Sequence, residues 1–149
     1  MLSKKTKYAI NALVYLAKGK RGEAIQISKI AESENISRKF LEAILLVLRN
    51  AGILSSKKGT AGGYYLQKDP ADINIAEVVR LFEGAIALLP CVSFLYYAKC
   101  EECKDEATCG IRNVFAEIRN ETVNRLKDAT IQNILEREIK LEKQVKKKK

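Results

Sequence analysis

Apolar positions recur along this chain at helical spacing, then briefly alternate, then return to helical spacing. In TKYAINALVYLAK, residues 6–18, Ala9, Leu13, Leu16 and Ala17 share one stripe with Ile10 and Val14 beside it, which predicts an amphipathic helix. Thr6 is its expected cap, and the glycines of GKRGE end the pattern. The next stretch, AIQISKIAESENISRKFLEAILLVLRNAGIL, holds two helical patterns joined by the short turn ENIS. Ile27, Ile30 and Ala31 line the first. Leu41, Ile44, Leu45 and Leu48 line the second, with Ser37 as cap, Ile36 and Leu41 as a hydrophobic staple, and Gly52 as the stop.

Beyond Gly52 the text ILSSKKGTAGGYYLQKD reads as strand, glycine-rich tip and strand. A helix-turn-helix followed at once by a hairpin with a basic tip predicts a wing. Pro70 closes the hairpin. Asn74 and Glu77 form a variant capping box ahead of Ile75, Val78, Val79 and Phe82. From Ile111 a long pattern runs through Val114, Phe115, Ile118, Thr122 and Leu126, pauses near Thr130 and resumes through Ile134, Leu135, Ile139 and Leu141. The expected fold is mostly α: a winged helix-turn-helix with a small hairpin wing and a long C-terminal dimerisation helix. Residues 1–84 form the winged domain, 85–110 a cysteine-rich sensor region, 111–142 the dimerisation helices and 143–149 a frayed basic tail. An apolar stripe that long needs a cover, and the same helix of a second copy supplies one, while folding back on the winged domain is the alternative.

Charge sharpens this picture. The chain carries +9 overall, with +7 in residues 1–80, −2 in residues 81–145 and +4 in the terminal lysines. A basic N-terminal half suits an anionic partner, double-stranded DNA first among them. No stretch approaches the roughly 18 apolar residues of a membrane span. The opening MLSKKTKYAINALVYLAKGK has the order of a signal peptide, but Asn11 and Lys18 interrupt its apolar run and no small-residue cleavage site follows. The expected location is cytoplasmic, where reducing pools oppose structural disulfides.

All four cysteines, Cys91, Cys100, Cys103 and Cys109, fall within PCVSFLYYAKCEECKDEATCGIR, and the chain has no histidine. Cys100 and Cys103 form a C-x-x-C pair, a spacing at which two thiolates grip one site from a tight turn. Four thiolates suffice for a 2Fe–2S or 4Fe–4S cluster, and equally for tetrahedral zinc. Cluster-free thiols, redox-active or inert, are the remaining reading. Glu101, Glu102, Asp105 and Glu106 would raise thiol pKa values in the absence of metal.

The order KYAINALVYLA, ISRKFLEAILLVLRNAGIL, KKGTAGGYYL, cysteine loop and long helix resembles the Rrf2 family of bacterial transcription regulators over about residues 1–135. The resemblance implies a winged-helix homodimer on a palindromic operator, and in several members an iron–sulfur cluster that senses cluster supply, nitric oxide or redox state. The family's three-cysteine pattern falls on Cys91, Cys103 and Cys109. Where iron–sulfur biogenesis regulators carry a histidine, this chain has Arg112, which stays protonated and cannot ligate. Where other members recruit an acid from the first helix, it has Lys7 and Tyr8. Cys100 is the candidate replacement.

For DNA contact the candidates are Ser37, Arg38 and Lys39 at the recognition helix start, with Glu42, whose position influences base choice in the resembled family. Lys57, Lys58, Thr60 and the backbone from Gly59 through Gly62 and Gly63 serve the wing. Lys58 stands where the family commonly has arginine, a residue better suited to bidentate base reading. The rival function is a cluster-free or zinc-containing interaction protein, or an iron–sulfur carrier, acting through the cysteine loop or on a partner enzyme. An enzyme is not expected, because no nucleophile is paired with a base and no phosphate loop follows a strand.

Overall fold

In the computed structural model, which describes residues 2–147, the first helix begins earlier than its apolar stripe predicts. α1 spans Lys4–Ala17, and Ser3 rather than Thr6 is its cap, accepting from the Thr6 N–H. Thr6 is fully buried one turn inside, in phase with Ala9 and Leu13. Its hydroxyl donates to the Glu83 carboxylate, which also accepts from the Ser3 N–H at 2.7 Å. Those donors, Thr6 foremost, hold the Glu83 carboxyl below its ordinary range.

The helix-turn-helix is built from α2, Ile27–Ser33, and α3, Arg38–Asn50. Both end in the same way. Asn35 (φ 51°) and Gly52 (φ 72°) turn the chain left-handed. Ile36 N–H then reaches back to Ala31 O at 2.9 Å and Ile53 N–H to Leu48 O at 3.0 Å, the Schellman closure that satisfies orphan carbonyls. Ile36 and Leu41 are both buried in the core, as the predicted staple requires, and Leu41, Ile44, Leu45 and Leu48 form the inner face of α3.

β1, Leu54–Lys57, and β2, Gly63–Leu66, pair antiparallel with Leu54 opposite Leu66 and Lys57 opposite Gly63. A short extra bridge joins the pair. Ile25 and Tyr64 exchange both backbone hydrogen bonds at 2.9 Å, so the segment before α2 lies against β2. α4, Ile75–Glu83, is capped by Asn74, whose side chain accepts from the Glu77 N–H at 2.9 Å. The Glu77 carboxylate does not close the box; it takes Lys68 Nζ at 2.7 Å instead, tying α4 to the hairpin exit.

The C-terminal pattern resolves into α5, Gly110–Asp128, and α6, Ile131–Lys147. Their junction is stitched to the entry of α4: Ile75 N–H donates to Ala129 O at 2.8 Å and Ile131 N–H to Ile73 O at 3.0 Å. Thr130 and Asn133 cap α6 reciprocally. From there α6 folds back along α1, burying Ile131 and Leu135 in the common core and pairing Glu138 with Lys18 at 3.0 Å. The first turns of the predicted 111–142 pattern beyond Thr130 thus take the alternative course, back onto the winged domain, while Ile139 and Leu141 farther along α6 stay exposed. The expected frayed tail also differs, since residues 143–147 continue α6 as helix; residues 148 and 149 lie outside the described residues. Among the described residues no helix is long and apolar enough to cross a membrane.

If α6 is anchored through its first turn, Ile131→Ala should lower unfolding free energy by about 2–5 kcal/mol, whereas Lys140→Ala, on the exposed face, should stay within about 0.5 kcal/mol. Urea denaturation of both variants checks this.

Candidate nucleic-acid interface and cysteine cavity

Ser37 takes the cap position of α3 with extended backbone, but its side chain makes no cap hydrogen bond, which leaves the hydroxyl free at an exposed helix start. Arg38 and Lys39 follow it, both exposed. Arg38 Nε donates to Glu42 Oε1 at 3.3 Å, one helical turn away. An exposed pair of this kind contributes about 0–1 kcal/mol, so a phosphate can compete for Arg38 at little cost. Glu42 thus sits on the recognition helix as the resting partner of its first arginine.

The wing stands beside this helix. Lys57 Nζ donates to Gly22 O at 2.9 Å and lies over the Tyr65 ring at 5.3 Å, so it braces the hairpin. Lys58, by contrast, makes no hydrogen bond or ion pair among the described residues and projects from the tip. Gln26 Nε2 donates to Thr60 O at 3.0 Å, clipping the tip to the segment before α2. Gln26, Ser28, Arg38, Lys57, Thr60 and Gly62 are among the residues that wall a cleft of about 360 Å3 between helix and wing. Gln26 and Ser28 escaped the sequence reading because only the Ile25–Tyr64 bridge, a long-range pairing, brings them to the wing. The glycines divide the labour. Gly59 supplies a positive φ of 101° for the turn. Gly63 has no room for a side chain, because an added Cβ would stand 2.2 Å from Ile25 O.

Away from the wing, all four cysteines line a single cavity of about 350 Å3, together with Leu89, Glu106 and Arg112 among others. Cys91 is buried in the 3-10 turn Pro90–Val92, Cys103 and Cys109 are half-buried, and Cys100 is exposed. Among the described residues no group of three or more His, Cys, Asp or Glu side chains is gathered so as to hold a metal ion. Tetrahedral zinc, with Zn–S bonds of about 2.3 Å, needs its thiolates roughly 3.8 Å apart around one point. The four thiols line one cavity without being gathered at a single point.

Cys109 caps α5, and its Sγ accepts from the Arg112 N–H at 3.5 Å. That hydrogen bond, with further donation from the Cys103 thiol and the Ile111 N–H, holds the Cys109 thiol below its ordinary value. This corrects the expectation that the nearby acids raise every thiol. Cys103 does move up, chiefly through burial, then through its hydrogen bond to Cys109 and the charges of Cys109, Cys100 and Glu106. Glu106 itself is occupied by the Tyr97 hydroxyl, which donates to it at 2.7 Å. Arg112 Nε is buried with no hydrogen-bond partner. A buried N–H left unpaired costs about 1–3 kcal/mol, and an acceptor within reach of Arg112 would relieve that cost. The residues present thus fit an anionic thiolate-held group.

The cysteine segment is also fastened to α5 by Arg119, whose guanidinium donates to Val92 O and stacks on the Phe94 ring at 3.8 Å from the centroid. α5 keeps an exposed apolar stripe of Ile111, Val114 and Ile118, which are 66%, 52% and 41% exposed.

A helix-turn-helix with a hairpin wing and a helical C-terminal extension defines a winged-helix DNA-binding regulator. The sequence profile of the Rrf2 family, described as an iron-dependent transcriptional regulator, matches residues 2–137, and the chain belongs to that family. It is 47% identical over 121 residues to an rrf2-like HTH-type transcriptional regulator of Rhodobacter capsulatus, covering 79% of this chain and 81% of the relative. It is 34% identical over 116 residues to the transcriptional regulator NsrR of Bacillus subtilis, covering 78% and 77%. Among solved structures, CymR, the global cysteine regulator of Bacillus subtilis, superposes with a TM-score of 0.74 at 28% identity, covering 91% of this chain and 96% of that one. The structure of T. potens IscR shares the fold, with a TM-score of 0.69 at 24% identity over 91% of this chain and 86% of that one. These relatives are transcriptional regulators rather than enzymes, and so is this protein.

Gly63→Ala should loosen the wing, lowering the urea midpoint and exposing the Ile25 and Tyr64 amides to hydrogen exchange. Gly110→Ala, where an added Cβ meets nothing within 4 Å, should leave both unchanged or slightly improved.

Proposed function

We propose that this regulator binds a palindromic operator as a homodimer and reads iron–sulfur, redox or nitric oxide status through a cluster held by Cys91, Cys100, Cys103 and Cys109. The observation that carries this reading is the convergence of all four thiols on one cavity whose wall also presents an unpaired buried N–H. A bound 2Fe–2S or 4Fe–4S group would supply reversible electron acceptance and reactivity toward nitric oxide or oxygen. Cys109 has the thiol best prepared to ligate, since its anion is already stabilised at the start of α5. Cys91 is placed by the Pro90 turn, and Arg119 keeps that turn against α5. Cys100 would complete the set from the exposed edge.

On DNA, Ser37, Arg38 and Lys39 would meet the major groove from the helix start, with Lys58 and the tip from Gly59 to Gly63 on the backbone. Glu42 would release Arg38 on binding and could then accept from cytosine N4. The exposed stripe Ile111, Val114 and Ile118 supports pairing of α5 with its copy, which would set the separation of the two recognition helices. Because both ends of the cysteine segment bear on α5, a change in the cavity would act on that separation, and a coupling of about 1–3 kcal/mol suffices for a switch.

A second reading has its own support. The Cys103 and Cys109 thiols act on one another, the first raised and the second lowered, so a cluster-free protein in which the two sulfurs approach would form a disulfide when an oxidant takes two electrons and two protons. Iron, acid-labile sulfide and zinc per chain, measured in anaerobically purified protein, separate the readings. Matching iron and sulfide, lost in Cys100→Ser, is the expected result. No metal after anaerobic reconstitution, with oxidant-driven loss of the Cys103 and Cys109 thiols, would replace the cluster with the thiol pair. Zinc alone would make the loop structural.

The wing lysines should differ in their effect on DNA affinity. Lys58→Ala should flatten the plot of log affinity against log salt by about 0.9 for a lost phosphate contact. Lys57→Ala should change the slope less and act through hairpin stability. Fluorescence anisotropy across a salt series on a selected operator checks both.

A further inference from the structure

Arg112 occupies the position at which the resembled regulators place a ligand, yet its guanidinium cannot coordinate. It lies three residues into α5, and helical side chains lean back toward the helix start. That direction carries it over Cys109, the cap residue, and onto the wall of the cysteine cavity. Its Nε–H is buried and unpaired, although Glu102 and Glu106 both line the same cavity. Lys99 also lines the cavity, but from an exposed position.

We infer that Arg112 is a second-sphere donor to the group in the cavity: its Nε–H hydrogen-bonds a sulfur of the cluster or of a ligating thiolate, and its fixed charge offsets the anion. This rests on the cluster reading proposed above. The consequence follows from charge. Reduction adds an electron to an already anionic group, and a fixed cation with an N–H···S bond favours the reduced form more than the oxidised one. Arg112 therefore raises the reduction potential, and the chain substitutes a tuning residue where relatives use a ligand.

The test uses the full chain reconstituted anaerobically, with iron and sulfide per chain and the midpoint potential from a redox titration followed in the visible spectrum. Arg112→Gln removes the charge and the Nε donor. Arg112→Lys keeps the charge but loses that N–H. Lys99→Gln removes a neighbouring charge that has no buried donor. The expected result is wild-type iron and sulfide in all three, with the potential moved negative in Arg112→Gln, part-way in Arg112→Lys and least in Lys99→Gln. Should Arg112→Gln fail to retain iron, Arg112→Lys alone decides: a potential below wild type supports the inference, and a wild-type potential overturns it. A wild-type potential in a loaded Arg112→Gln, or a shift no larger than that of Lys99→Gln, also overturns it. A wild-type chain that takes up no iron and sulfide removes the cluster reading itself, and the inference with it.

Discussion

Two backbone hydrogen bonds, from Ile75 to Ala129 and from Ile131 to Ile73, decide how the two halves of this molecule are related. They fix the α5–α6 junction against the entry of α4, where Ile73 is fully buried. With the junction held there, α6 has one way to bury Ile131 and Leu135, which is to run back along α1. α5 must then leave in the other direction, carrying the cysteine segment with it. Both bonds are between main-chain groups, so the arrangement is insensitive to side-chain chemistry on the surfaces it displays. The winged domain is thereby completed by a helix from the far end of the sequence, and α5 packs on α4 with its Ile111, Val114 and Ile118 stripe exposed.

Much of this was legible beforehand. The stripes of α1, α3 and α4 could be read because apolar residues fall at helical spacing with few exceptions, and because Ser37, Gly52 and Asn74 punctuate them. The wing was legible from its glycines and alternation. Thr6 was misread as a cap although it keeps phase with Ala9 and Leu13, a signal that outranks hydroxyl chemistry once the whole stripe is considered. The return of α6 stood only as the alternative, since an amphipathic pattern states which face is apolar and not what covers it. The pause near Thr130 did mark the place, and Thr130 with Asn133 is a capping pattern readable from sequence.

The candidate site divides in the same manner. Arg38 and Glu42 are four residues apart on a helix, so their pairing follows from spacing. The clustering of the cysteines in sequence foretold their common cavity. Counting nearby acids failed for Cys109, because a helix begins at the next residue and local backbone donors act at shorter range than the acids do. The role of Gly63 was also displaced: its missing side chain serves a close backbone approach by Ile25, not freedom at the tip. Tertiary pairing, absent from any local pattern, explains the Gly63 difference, whereas the one at Cys109 is local.

Arg119 has a consequence beyond stacking on Phe94. It anchors the chain at Val92, and Cys109 begins the helix to which Arg119 belongs. The intervening segment is therefore a closed loop whose two feet stand on one rigid body. For such a loop the entropic cost of extra length grows only logarithmically, about 0.6 kcal/mol for each doubling. Residues between the feet can be inserted, deleted or exchanged with little demand on the winged domain or on α6. Evolution can thus rewrite the residues of the cysteine loop while the winged half keeps its shape.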